Sequence, residues 1–95
     1  LRFDTGYVDV PSAGTAVVVL DEPHKVLWIR FKAETGTIYV GRSDVASDNG
    51  FPVTTAANID MEFDFGKYGG SVLMSDFYVD ASSNGDNVTW AAIFA

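Results

Sequence analysis

Lys25-Val26-Leu27-Trp28-Ile29-Arg30-Phe31-Lys32-Ala33 changes character at almost every step, with Leu27, Ile29, Phe31 and Ala33 on one side and Val26, Trp28, Arg30 and Lys32 on the other. Successive side chains of an extended chain point to opposite faces, so a period of two marks a strand with one face on a core and one in water. Ile59-Asp60-Met61-Glu62-Phe63-Asp64-Phe65 repeats the pattern more cleanly, with four apolar residues against three acids. Two such amphipathic strands, in a chain with no helical periodicity over a comparable length, predict an all-β domain. Working outward, further strands are predicted over 2–10, 14–20, 37–41, 72–80 and 87–94, about seven in all, the spacing of a small β-sandwich or jelly-roll-like barrel. The breaks carry turn chemistry: Pro11 to Gly14, Asp21 to Pro23, Ser47 to Gly50, Gly66 to Gly70 and Ser82 to Asp86. Ser83-Asn84-Gly85-Asp86 reads as the clearest hairpin, because Asn-Gly suits a type I′ turn.

The chain of 95 residues supports one domain, 1–95, because a second core cannot be built at this length. With 47% hydrophobic and 20% charged residues, it has enough apolar side chain to offset the entropy of ordering. Without cysteine, packing alone must stabilise it. No apolar run approaches the length of a membrane-spanning helix, so a soluble chain with no membrane partner is expected. The net charge of −7 is unevenly placed: residues 1–42 hold five bases and five acids, whereas residues 43–95 hold Lys67 alone against eight acids. A nucleic-acid partner needs a basic stripe to displace counterions, so this distribution argues against one.

Asp4-Thr5-Gly6 spells the aspartic-protease triplet, and a homodimer could place two Asp4 carboxylates together. That chemistry requires a buried loop held by strands; the triplet starts three residues into the chain and reads more simply as a strand-entry turn. His24, the only histidine, sits in a turn and reads as a surface residue. Asp60, Glu62 and Asp64 lack the ligand spacing of a calcium loop and read as a solvated strand face. Asn87-Val88-Thr89 is a formal glycosylation sequon at the start of a predicted strand. Tyr39, Phe51, Tyr78 and Trp90 offer aromatic surface for sugars, although aromatic residues in small β domains mostly pack the core. Trp28 beside Arg30 on the outward side of its strand is the better contact candidate, these being the residue types that anchor interfaces. No catalytic group, cofactor or metal site is assigned, and no enzymatic activity is expected.

The segment Gly36-Thr37-Ile38-Tyr39-Val40-Gly41-Arg42-Ser43-Asp44-Val45, followed by Asn49-Gly50-Phe51-Pro52-Val53 and by Phe77-Tyr78-Val79-Asp80-Ala81 to Trp90, resembles a pattern of small bacteriophage virion proteins of the capsid decoration, cement or head-fibre type. The resemblance runs over roughly residues 25–92 and touches structural positions: Gly41 ends a buried strand, Ser43 and Asp44 bond turn amides, and Phe51-Pro52 re-enters the core with a fixed φ. It implies a β module on the capsid exterior of a virion that binds the major capsid protein and reinforces the lattice. A carbohydrate-binding module of a fibre or tail is the alternative. Residues 1–24 carry none of the pattern. The charge split further predicts a homo-oligomer, a trimer for preference. In it the Val26, Trp28, Arg30 and Lys32 face of one copy meets the Asp60, Glu62 and Asp64 stripe of the next, a contact between different surfaces that must close into a ring.

Overall fold

The computed structural model describes residues 1–55 and 72–95 in full and residues 61–64 by their backbone. Its strands are β1 (Arg2–Val10), β2 (Val17–Val18), β3 (Val26–Ala33), β4 (Thr37–Gly41), β5 (Phe51–Thr54), β6 (Met61–Asp64), β7 (Tyr78–Ala81) and β8 (Asp86–Phe94), with a short 3-10 helix at Met74–Asp76. Seven of these described strands have four residues or more and β2 has two. They form two antiparallel sheets, β1-β8-β3-β6 (sheet A) and β2-β7-β4-β5 (sheet B), a small β-sandwich that does not close into a barrel. The order has a simple origin. The chain doubles back at residues 42–50, so that β1 pairs β8, β2 pairs β7, β3 pairs β6 and β4 pairs β5. Rolling that long hairpin brings β8 against β3 and β7 against β4, which is the winding of a jelly roll.

Alternation supplies the core. Val8, Ile29, Phe31, Val88, Trp90, Ala92 and Phe94 of sheet A face Ile38, Val40, Val53, Val79 and Ala81 of sheet B, all of them buried. Phe31 and Phe94 are the largest fully buried side chains, and the Phe31 ring meets Phe77 with centroids 5.7 Å apart. At one end of the sandwich the Arg2 guanidinium lies 5.1 Å from the Phe94 ring centroid, covering the core with a cation over an aromatic face.

Several expectations are corrected. Val26, read as outward, is 1% exposed, because the register of β3 on β8 shifts between Val26 and Trp28. A bulge there resets the parity, leaving Leu27 half-buried and Ile29, Phe31 and Ala33 inward as read. The strand predicted over 14–20 shrinks to Val17–Val18. The one predicted over 72–80 opens as the 3-10 turn, where Asp76 Oδ2 accepts the Leu73 N–H at 3.0 Å and local bonding replaces ladder bonding. β5 was not predicted as a strand; Pro52 is tolerated because β5 is an edge, and Phe51 is 55% exposed while Val53 fills the core. Ser82 to Gly85 is not a hairpin, because β7 and β8 belong to different sheets. It is a corner between sheets, with Gly85 at φ +83° donating its N–H to the Val10 carbonyl at 2.8 Å. The turn at Gly66 to Gly70 lies outside the described residues.

Two other sheet-to-sheet connections at this end are tied to the same corner. Gly14 N–H donates to the buried Asp80 Oδ1, and Ala13 N–H to Asn84 Oδ1, each at 2.8 Å. Asn87 N–H donates to Thr35 Oγ1 at 3.1 Å, and Glu34 N–H to the Asn87 carbonyl at 3.0 Å. At the opposite side of sheet B the loop 42–50 closes on a plug: Val45 is 4% exposed, and a Cβ on Gly41 or Gly50 would sit 2.8 or 2.7 Å from its Cγ2. The turn bonds assigned to Ser43 and Asp44 are made by Asn49, whose Oδ1 accepts the Ala46 N–H at 2.7 Å and whose Nδ2 donates to the Asp44 carbonyl at 3.1 Å.

Candidate functional site

The outer face of sheet A collects the predicted contact residues. Because directly opposed residues of an antiparallel ladder share a face, the registers of β1, β8 and β3 define rows across it. One row runs Phe3, Ile93, Trp28; the next Thr5, Ala91, Arg30; the third Tyr7, Thr89, Lys32. Phe3 and Tyr7 are 66% and 67% exposed, Arg30 and Lys32 are exposed, and Trp28 is half-buried. Thr5, Thr89 and Ala91 are short, so Tyr7 on one side and Arg30 and Lys32 on the other flank a groove of about 860 Å³ that runs on to Thr54 and Thr55. Thr89 Oγ1 donates to Glu34 Oε1 at 3.0 Å, which sets a carboxylate beside the Lys32 end.

The acidic half of the predicted contact is on the same sheet. Arg30 stands opposite Glu62 and Trp28 opposite Asp64 in the β3–β6 register, while Asp60 lies outside the described residues. Glu62 and Asp64 of the acidic stripe are therefore backbone register neighbours of Arg30 and Trp28 within one chain. Phe3 and Tyr7 were missed as contact residues. Their signal was present, since the odd positions of 2–10 become the outward ones once Val8 and Val10 are placed in the core.

Other candidates separate. Asp4-Thr5-Gly6 lies inside β1, paired in order with Ala92, Ala91 and Trp90, and is neither a strand-entry turn nor the strand-held loop that a protease dyad requires. Gly6 has a packing reason: a Cβ there would sit 2.8 Å from Trp90 Cζ2. His24 is a turn residue whose Nε2 lies 2.6 Å from Glu22 Oε1 and whose ring lies tilted against Phe94, with centroids 5.1 Å apart. Of the proposed sugar platforms, Trp90 is 6% exposed and belongs to the core, whereas Phe51 and Tyr78 line a cleft of about 770 Å³ with Arg42, Asn49 and Asp76. Asn87, the sequon residue, is half-buried with its Oδ1 lacking a hydrogen-bond partner. No family model, no curated protein and no solved structure matches this chain.

Proposed function

We propose that this domain is a structural, non-catalytic module of a phage particle, which seats the outer face of sheet A on the major capsid protein and reinforces the lattice from outside. The observation that carries the reading is the sequence pattern over 36–53 and 77–90. Its glycines and Val45 have a scaffold role in the fold, where they build the plug of the 42–50 loop and the sheet-to-sheet corner. That leaves recognition to residues outside those two stretches, and Phe3, Tyr7, Trp28, Arg30 and Lys32 form a broad face of aromatic and cationic side chains. Such residues anchor interfaces by desolvation, with charge setting orientation and rate. Loss of a Trp28 anchor is expected to cost about 2 kcal/mol, roughly 30-fold in affinity for capsids. The test compares genome release on heating or at low salt from particles with wild-type protein, with Trp28→Ala protein and with none. Release that is identical in all three refutes a cement role.

A second reading, a sugar-binding module of a fibre or tail, is favoured by the cleft between Phe51 and Tyr78, where aromatic surface lies beside Arg42, Asn49 and Asp76. Binding of host glycans that is lost in Phe51→Ala and kept in Trp28→Ala selects it over the first.

A further inference from the structure

The four sheet edges of this sandwich are unequal. Among the described residues, β2 offers two, β5 offers four with Pro52 among them, and β6 offers four that include Glu62 and Asp64. Short length, proline and charge are the devices by which edges avoid pairing with other chains. β1 is an edge of nine residues with no proline and a ladder to β8 that runs without a bulge from Arg2 to Val10. Among the described residues, three of the four exposed large hydrophobic side chains, Leu1, Phe3 and Tyr7, lie on or beside it.

We infer that β1 pairs antiparallel with β1 of a second copy, joining two A sheets into one eight-stranded sheet around a two-fold axis at Thr5. The occupant and the register follow from the strand's own residues. A two-fold axis normal to the sheet keeps outward residues outward, so odd positions pair with odd and even with even. Centring on Asp4 would set two carboxylates directly opposite, and centring on Gly6 would set Phe3 against Asp9. Centring on Thr5 sets Phe3 against Tyr7 of the second copy twice, Thr5 against Thr5, and Asp4 against Gly6, which brings no side chain of its own, with no two charges directly opposed. Opposed side chains on one open face cover only their facing edges, so the four aromatics and the backbone edge together bury less than the roughly 1,200 Å² at which stable specific interfaces begin. The dimer is therefore weak in solution and is favoured where copies are concentrated.

One local bond opposes it. The Thr5 N–H is taken at 2.9 Å by Asp4 Oδ1, a side-chain bond that competes with ladder pairing at the centre of the interface. Removing Asp4 frees that amide and removes a charge near its own symmetry mate.

Analytical ultracentrifugation of the full chain from about 10 µM to about 1 mM tests association. Wild type dimerises, Phe3→Lys/Tyr7→Lys stays monomeric with an unchanged melting temperature, and Asp4→Ala raises the association constant several-fold. The chain has no cysteine, so register is read by single substitutions under mild oxidation. Thr5→Cys crosslinks to itself, since opposed Cα atoms about 5.5 Å apart are within disulfide reach. Phe3→Cys crosslinks only when mixed with Tyr7→Cys. A monomer at every concentration, a dimer indifferent to the lysine pair, or Phe3→Cys joining to itself better than Thr5→Cys overturns the inference.

Discussion

Gly36→Ala is the substitution whose cost can be worked most directly from this structure. Gly36 connects sheet A to sheet B with φ +61°, a left-handed conformation, and a Cβ there would sit 2.1 Å from Asp86 Oδ2 and 2.6 Å from Asp86 Cγ. The backbone term for placing alanine in that conformation is about 1–2 kcal/mol. The steric term is separate: the Asp86 carboxylate must rotate away, giving up the 3.4 Å bond it accepts from Ser82 Oγ, at a cost within the range of about 1–3 kcal/mol for overpacking. A total near 3 kcal/mol lowers the melting temperature of a domain this size by about 12–24 °C. The two terms can be told apart. In an Asp86→Ala background the obstacle is gone, and Gly36→Ala should cost only the backbone term, about 1–2 kcal/mol. Urea and thermal unfolding of the four proteins, followed by circular dichroism, closes the cycle. A neutral Gly36→Ala refutes the left-handed conformation, and an equal cost in both backgrounds refutes the Asp86 contact.

Val45→Ala removes the plug between Gly41 and Gly50 and should destabilise by about 2 kcal/mol from lost burial and the cavity left behind, read as a lower urea midpoint at unchanged slope. Asp80→Ala deletes the buried acceptor of the Gly14 N–H and should cost about 1–3 kcal/mol, with hydrogen exchange accelerating over residues 11–16 before the rest of the sheet. Asp4→Asn keeps an oxygen for the Thr5 amide and should leave stability within about 0.5 kcal/mol of wild type. With the triplet in a paired strand, peptidase assays of wild type and Asp4→Asn should be indistinguishable from buffer.

What the sequence disclosed follows from the range of the interactions involved. β1 and β4 span the residues that alternation predicted and β8 differs by one residue, because a period of two is written residue by residue and needs no knowledge of the partner strand. Local chemistry read alone misleads where two tertiary arrangements use the same turn. Asn84-Gly85 supports a reversal at φ > 0, yet whether the next strand returns beside β7 or crosses to the other sheet is decided by what β8 finds there, namely β1 on one side and β3 on the other. The bulge after Val26 has the same character, since it is visible only against the partner β8.

The contact face shows that limit most sharply. Alternation put Trp28, Arg30 and Lys32 outward, and the structure places them so. The sequence also displayed complementary stripes, a basic one in β3 and an acidic one over 60–64, and complementarity alone cannot say whether two stripes meet within a chain or between chains. Winding decides it: once β4 pairs β5, β3 is carried onto β6, and Arg30 arrives opposite Glu62. A charge pattern matched by backbone register inside the sheet is not by itself a signal for a second copy, so the search for a contact turns to surfaces outside that match. On this molecule those are the aromatic row ends, Phe3 and Tyr7, on the one long edge strand whose outer side no described strand covers.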